Sequence, residues 1–514
     1  MDNLSIENLT EMTKNGTENI PFIGRRRILC HNVAITPENV ISAATKAVIS
    51  HFENVVAENY LYYYARGIQP ILCKQKEVRE EINHRLTQNL ASEIVSFKNG
   101  YFLTKPSFYI SRRKDESKSE VVNKLNDYLY LSGKHDADNE LVDWFHTVGL
   151  GTLFVESSDD EEAPVKCYAI DPTTAFVVYG RNPSSEPVFA GHVVYEAYSE
   201  GNVQMMKVYY DIYTKDRIYR LEGCAKAETM TREVIGNIPW SIASEEINHL
   251  GEIPIIEYQY DYHRMGAFEK VIPLMNELNY QQSMRLDSTE QFVNSLLVFY
   301  NCKLGKDEKG NDITPSYIRQ NGALFLKSEG QDKADVMEIA SVLDQTQSQV
   351  FVDNLTEQIF DIAGVPMSQK INGGTGDNVG AVYLRSGWAT ADTFARNTED
   401  LFRKSNKQFD KIFLKILKEK KLIDDILVSD LDLQFTRNEM ENMVAKTQAA
   451  LNLKTLGLSP ELVLARSGIS NDPAGDIEKS KEYIERAYAP QKEATNETEP
   501  GSDNDNRNGF DERL

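Results

Sequence analysis

From Ala381 to Lys421 the chain runs forty-one residues without a proline, and just before it four glycines, Gly373, Gly374, Gly376 and Gly380, fall within eight residues. At ~1.5 Å per residue a helix over 381–421 would span about 60 Å, with Gly387 as its only internal weak point. A single globular core does not need so long a rod; a scaffold or the spine of an oligomer does. The glycines lose more backbone freedom in a helix than other residues, so they interrupt the helical pattern of 343–363 before the rod begins.

A glycine-rich break invites a phosphate-cradling interpretation, and the residues reject it. A Walker-type loop needs G-x-x-x-x-G-K-[ST], and no Lys-Ser or Lys-Thr follows these glycines. A dinucleotide loop needs G-x-G-x-x-G behind a strand; after Gly374 and Gly376, Val379 stands at the third glycine position, and Val350–Ala363 reads as helix. Asp377 would repel a phosphate. The glycines read as a helix C-cap and a flexible connector.

Other chemistry is equally unsupported. The eight histidines form neither H-E-x-x-H nor a Cys/His cluster, and G-x-S-x-G is absent. DNDNRNG near the C-terminus fails as a calcium loop: Gly509 is one place late and Leu514 stands where a bidentate Glu belongs. Asp424, Asp425, Asp430 and Asp432 read as solvated acids around a loop and strand. No catalytic constellation, metal site or cofactor is expected. Cys30, Cys73, Cys167, Cys224 and Cys302 are odd in number and scattered, and read as reduced thiols of a cytosolic compartment. The first residues are polar and acidic, unlike a signal peptide, and no run of 18 apolar residues suggests a membrane span. The net charge of −22 argues against a protein that clamps DNA by neutralising phosphates. It leaves room for one that lets DNA slide past, and equally keeps a large protein soluble.

The length suggests about three domains. Residues 1–35 read as a weakly structured arm. Thr36-Pro37-Glu38-Asn39 is a helix start, and the helix runs to Tyr64 before Gly67 and Pro70. Tyr62, Tyr63 and Tyr64 cannot all face one way, so at least one belongs at a surface or interface. A second helix is expected over 77–97, where Ile82, Leu86, Leu90, Ile94 and Val95 keep helical spacing. Residues 152–260 alternate as strands, with 157–164 an acidic hairpin tip. Helix returns over 266–300, where Phe268, Ile272, Met275 and Leu278 form one stripe. A small β-like insert follows, with a polar turn at KDEKGND, then the helix 343–363, the glycine loop and the rod. A strand at 431–435 precedes helices at 438–456, from Ser459 and at 476–487. The tail from Pro490 is acidic and aperiodic, and is expected to be disordered. The fold class is α+β.

The order of these pieces resembles the portal proteins of tailed bacteriophages, in the branch with long, non-contractile tails. The resemblance covers roughly 50–490. It rests on YYYARGIQPI, on IVSFKNGYFLTKP, on EIPIIEY leading into AFEKVIPLMNELN, on DIAGVPMSQKINGGTGDNVGAVYL, and on FTRNEMEN with the downstream LSPELVLARSGISNDPAGDIEKSKEY. It implies a homo-oligomeric ring, commonly of twelve subunits, at the capsid portal vertex of the virion, assembled in the host cytoplasm. Viral double-stranded DNA enters and leaves through its channel. The terminase packaging motor docks on it, then head-completion or adaptor proteins and the tail, with major capsid and scaffolding proteins around it. No membrane and no enzymatic activity are implied.

The resemblance divides the chain into an N-terminal arm (1–35), a wing domain (36–265), a stem helix (266–297), a clip domain (298–342) and a second stem helix (343–363). A tunnel loop (364–380), a long wing-to-crown helix with its connection (381–429), a helical crown (430–489) and the acidic tail (490–514) follow. In the tunnel loop, Lys370, Asn372, Gly373, Gly374, Thr375, Gly376, Asp377 and Asn378 would meet DNA, glycine allowing the loop to shift between rigid helices. In the clip, Lys306, Asp307, Glu308, Lys309, Asn311 and Asp312 would form a partner surface. Two other classes compete: an ATP-dependent DNA-packaging enzyme, disfavoured by the missing Walker loop, and a non-portal helical scaffolding protein, disfavoured by the strand-rich 152–260.

Overall fold

A computed structural model describes residues 24–31, 34–77, 80–112, 116–200, 203–225, 236–293, 296–300, 302–304, 326–328, 335–339, 345–367, 387–435, 443–470 and 473–487. The chain forms two units, 1–440 and 441–514.

The first unit opens with β1 (Ile28–Cys30), α1 (Val40–Ala65), α2 (Leu90–Phe102), β2 (Phe108–Ser111), α3 (Glu116–Leu131) and α4 (Lys134–Val148). A run of strands follows: β3 (Leu150–Ser157), β4 (Val165–Ile170), β5 (Ala175–Gly180), β6 (Pro187–Glu200), β7 (Val203–Tyr213), β8 (Arg217–Ala225), β9 (Ser241–Ile247) and β10 (Ile255–Gln259). Then come α5 (Ile272–Val293), β11 (Leu296–Tyr300), β12 (Cys302–Leu304), β13 (Leu326–Ser328), β14 (Asp335–Ile339), α6 (Gln345–Ala363), α7 (Trp388–Glu419) and β15 (Leu431–Gln434).

The strands at 152–260 form where alternation puts them. They build a six-stranded sheet of order β1-β5-β6-β7-β8-β9 and a three-stranded sheet of order β10-β3-β4. Only β1 joins its neighbour in parallel; β5 to β9 are successive antiparallel pairs. Val208, Tyr210 and Ile212, every second residue of β7, are buried with Val40, Ala44, Ala47 and Val48 of α1. Alanines at two of those four helix positions let α1 lie close to the sheet. The other end of α1 turns Leu61, Tyr64 and Ala65 into a different core with α2, α5 and α6. A third core gathers α2, α3, α4, the three-stranded sheet and α7. Of the tyrosine triplet, Tyr64 is buried and donates to Asn276 Oδ1 at 2.9 Å, while Tyr62 and Tyr63 are partly exposed.

Several expectations are corrected. Inside the supposed arm, β1 pairs with β5, and Arg26 is clasped by Asn54, whose side-chain amide both accepts from Arg26 N and donates to Arg26 O at 2.9 Å. Arg25 forms a buried ion pair with Glu269 at 2.5 Å. Helix α1 starts at Val40 with Asn39 as N-cap residue, because Thr36 O accepts from both Asn39 N and Val40 N, forming a turn first. Residues 296–300, expected as the end of a helix, form β11: LLVFY is rich in strand-forming residues and pairs antiparallel with β14. The rod does not pass through Gly387, which has φ +82°; α7 begins at Trp388 and covers 32 residues, and 381–386 lie outside the described residues. Strand β15, assigned to the crown by resemblance, pairs with β2 in the first unit, where Leu431 and Leu433 enter the third core.

Buried polar bonds seat α7 on the sheet. Tyr109 of β2 donates its hydroxyl to Asp410, Asn406 Nδ2 donates to Tyr109 Oη and Asp410 Oδ1 at 2.9 Å, and Tyr258 of β10 donates to Asn406 at 3.1 Å. Burial pushes the Asp410 carboxyl up to about 7, against the Tyr109 hydrogen bond that pulls it down.

The second unit contains α8 (Met443–Thr455), α9 (Pro460–Ser467) and α10 (Pro473–Ala487). Gly457 at φ +80° ends α8 where the sequence puts a stop. Among the described residues of this unit, Val463 is the one buried apolar side chain, while Leu451, Leu456, Leu458, Leu462, Ile469 and Tyr483 are exposed. The expected disordered tail lies outside the described residues.

Candidate functional site

Helices α5 and α6 form an antiparallel pair. The chain leaves α5 into the small strands and re-enters α6 from them, and α6 ends against the turn Glu269–Val271 that starts α5. The expected stripe is present: Phe268, Ile272, Met275 and Leu278 pack on Val352, Leu355, Ile359 and Phe360. The outward side of α6 carries Asp353, Glu357 and Asp361, spaced four residues apart and all exposed, with no Lys or Arg in the helix. Val350, Phe351 and Ile362 of α6 and Tyr280 and Leu286 of α5 also remain exposed.

Beside its apolar stripe α5 carries a buried polar ladder, Asn279, Ser283 and Asp287, again four residues apart. Asn279 Oδ1 accepts from Gln88 N at 2.8 Å, Ser283 Oγ from Leu86 N at 2.9 Å, and Asp287 Oδ1 from His84 N at 2.7 Å. The match is metrical. Four residues of helix rise ~6 Å and two residues of extended chain ~6.6 Å, so alternate N–H groups of residues 84–88 meet successive rungs. This is why the helix expected over 77–97 begins only at Leu90: the backbone donors of its first half are committed to α5. Lys74 Nζ also reaches Asp287 at 2.7 Å. Burial would raise the Asp287 carboxyl, but the bonds from Lys74 and His84 outweigh it and hold it at about 2.

At the far end of α6, Gly364 has φ +68°; its N–H bonds Asp361 O at 3.2 Å and Val365 N–H bonds Phe360 O at 2.9 Å, a Schellman cap. A Cβ at Gly364 would fall 2.2 Å from the Phe394 ring of α7, and one at Gly387 would lie 3.7 Å from Pro366 Cα. The chain therefore leaves at Pro366 and returns at Gly387 to one place, closing the base of the glycine-rich segment. The other excursion is closed likewise, Tyr300 opposite Asp335.

The residues singled out from sequence lie within these excursions. Lys370, Asn372, Gly373, Gly374, Thr375, Gly376, Asp377 and Asn378, and Lys306, Asp307, Glu308, Lys309, Asn311 and Asp312, are all outside the described residues. Sequence reasoning missed the ladder, although N-x-x-x-S-x-x-x-D beside an apolar stripe is its signal. Among the described residues no group of three or more His, Cys, Asp or Glu could hold a metal ion, and no helix is long and apolar enough to cross a membrane.

Residues 50–489 match the family described as "Phage portal protein, SPP1 Gp6-like". The chain belongs to this phage portal family. That family is a structural one. The portal-family chain also aligns with a solved structure titled "Neck of empty GTA particle computed with C6 symmetry", at 12% identity and a TM-score of 0.35, over 74% of this chain and 88% of that one. No curated protein matches it.

Proposed function

We propose that the chain is the subunit of a closed portal ring, commonly of twelve copies, at the capsid vertex. Double-stranded DNA is packaged and ejected through its channel. Helices α5 and α6 act as the stem pair and the strands β11–β14 as the clip, with Lys306, Asp307, Glu308, Lys309, Asn311 and Asp312 in a surface for the terminase motor and then for head-completion proteins. Residues 364–380 act as the tunnel loop, with Lys370, Asn372, Gly373, Gly374, Thr375, Gly376, Asp377 and Asn378 facing DNA. Helices α8–α10 act as the crown, adjoining capsid and scaffolding proteins. The ring assembles in the host cytoplasm and carries out no catalysis.

The observation that carries this reading is the pinned base of the glycine loop, Pro366 beside Gly387, just beyond the end of the proposed stem helix α6. A loop fixed at one point can sweep without disturbing its helices. The exposed apolar side chains of α5, α6 and the crown helices are those a neighbouring subunit would cover.

Replacing Gly373, Gly374 and Gly376 together with Val tests it. Rings should form in normal yield while packaged DNA per procapsid falls severalfold; Lys370→Ala should do less, one screened cation being a weak phosphate contact. Normal packaging by the triple-valine ring would make the glycines a passive connector.

A further inference from the structure

Helix α7 shows solvent a narrow strip, because Leu401, Phe402, Phe409, Ile412, Phe413, Ile416 and Leu417 bury its other faces. Lys404, Lys407 and Lys411 stand on that strip, exposed and spaced by three and four, and Lys415 and Lys418 continue it. In a chain of net charge −22 a row of cations on one strip calls for a reason.

Local reasons cover only its end. The helix dipole draws cations to the last turn, where Lys418 pairs with Asp425 at 2.6 Å and Lys415 lies 4.0 Å from Glu419. Lys404, Lys407 and Lys411 lie two turns or more before that end and form no ion pair among the described residues; neighbouring Arg403 pairs with Glu399 and Asp400.

The chain's own counterpart is the α6 row Asp353, Glu357 and Asp361. The two rows match in length, ~12 Å for the acids and ~10.5 Å for the lysines. The acid row runs toward the C-terminal end of α6, where the dipole disfavours negative charge, so a cation brought there gains twice. We propose that Lys404, Lys407 and Lys411 of one subunit dock on the Asp353, Glu357 and Asp361 row of the next copy and fix the rotation between neighbours. The contact joins two different patches of one chain, the heterologous kind that closes a ring. Charges of this kind set register and assembly rate more than affinity. The inference rests on the ring reading above.

Charge exchange in the full-length protein tests it, read by native mass spectrometry across protein concentration. Lys404→Glu, Lys407→Glu and Lys411→Glu together should raise the concentration for half-assembly at least tenfold, as should Asp353→Lys, Glu357→Lys and Asp361→Lys. Combining all six should restore assembly toward wild type. Unimpaired assembly of the lysine reversal overturns the proposal. So does a loss that the sixfold exchange fails to rescue, which would turn the lysines toward another acidic partner such as a DNA backbone. If a reversal fails to fold, Lys404→Gln, Lys407→Gln and Lys411→Gln serves instead; its assembly should lose the salt sensitivity of wild type, and an unchanged salt response overturns the proposal. Absence of rings from wild type would mark failure of the ring reading itself.

Discussion

Glu58 is one of the buried charged residues whose environment has a measurable consequence. It is 1% exposed, and burial pushes its carboxyl up to about 8, against the pull of Arg25 and with repulsion from Asp171. Between about pH 4.5 and 8 the folded chain keeps a proton that the unfolded chain has lost. Stability therefore falls as pH rises through that window, by up to about 1.4 kcal/mol per pH unit. Glu58→Gln removes this dependence, so its melting temperature relative to wild type should climb from pH 5 to pH 8. Parallel melting curves at both pH values would show that the carboxyl titrates normally. Gly364 gives a second residue-scale prediction. Gly364→Ala places a side chain at positive φ and against Phe394, and should cost at least about 1–2 kcal/mol by chemical denaturation. A variant as stable as wild type would mean that the loop base is loosely held. The sequence marked glycines as breakers, but not these buried polar pairs: Arg25 and Glu269 are 244 positions apart, and Tyr109 and Asp410 are 301 apart. Local periodicity carries no trace of partners so distant.

At the scale of elements, the ladder on α5 shows where pattern reading fails. Ile82, Leu86, Leu90 and Ile94 recur every four residues and satisfy a helix template, yet only the portion from Leu90 is helical. Side-chain acceptors on another element compete for the backbone donors of 84–88 and win, because an extended segment can satisfy alternate N–H groups along one helix face. Asp287→Ala should remove the lower rung and leave Lys74, whose side chain is 8% exposed, without its carboxylate. The expected cost is about 3–5 kcal/mol, with amide exchange at residues 84–88 accelerating before that of α5. Uniform exchange along both would show that segment and helix open as one piece. Long alternating or one-sided runs were legible, as β3 to β8 and the α5 stripe show. The rod was legible in existence but not in its start, since a glycine inside a helical pattern does not reveal the sign of its φ.

For the whole molecule, the sequence supplied the order of the pieces and the family, and the structure added the closed bases of two excursions. The candidate site itself was legible only as composition: its glycines and polar turn fall outside the described residues. Two truncations test the proposed division of labour. A chain ending at Pro490 should assemble into rings of unchanged size, and failure to do so would mean that the acidic tail packs on the crown. Deleting Lys306–Asp312 should leave rings intact while motor and adaptor binding are lost; intact binding would remove that turn from the partner surface. The central claim is the ring, because stem, clip, loop and crown have their proposed roles only around a shared axis. Electron microscopy of the purified full-length protein tests it most directly. Closed annular particles with an open central channel and a single rotational symmetry are the predicted result; monomers or dimers alone at micromolar concentration would contradict it.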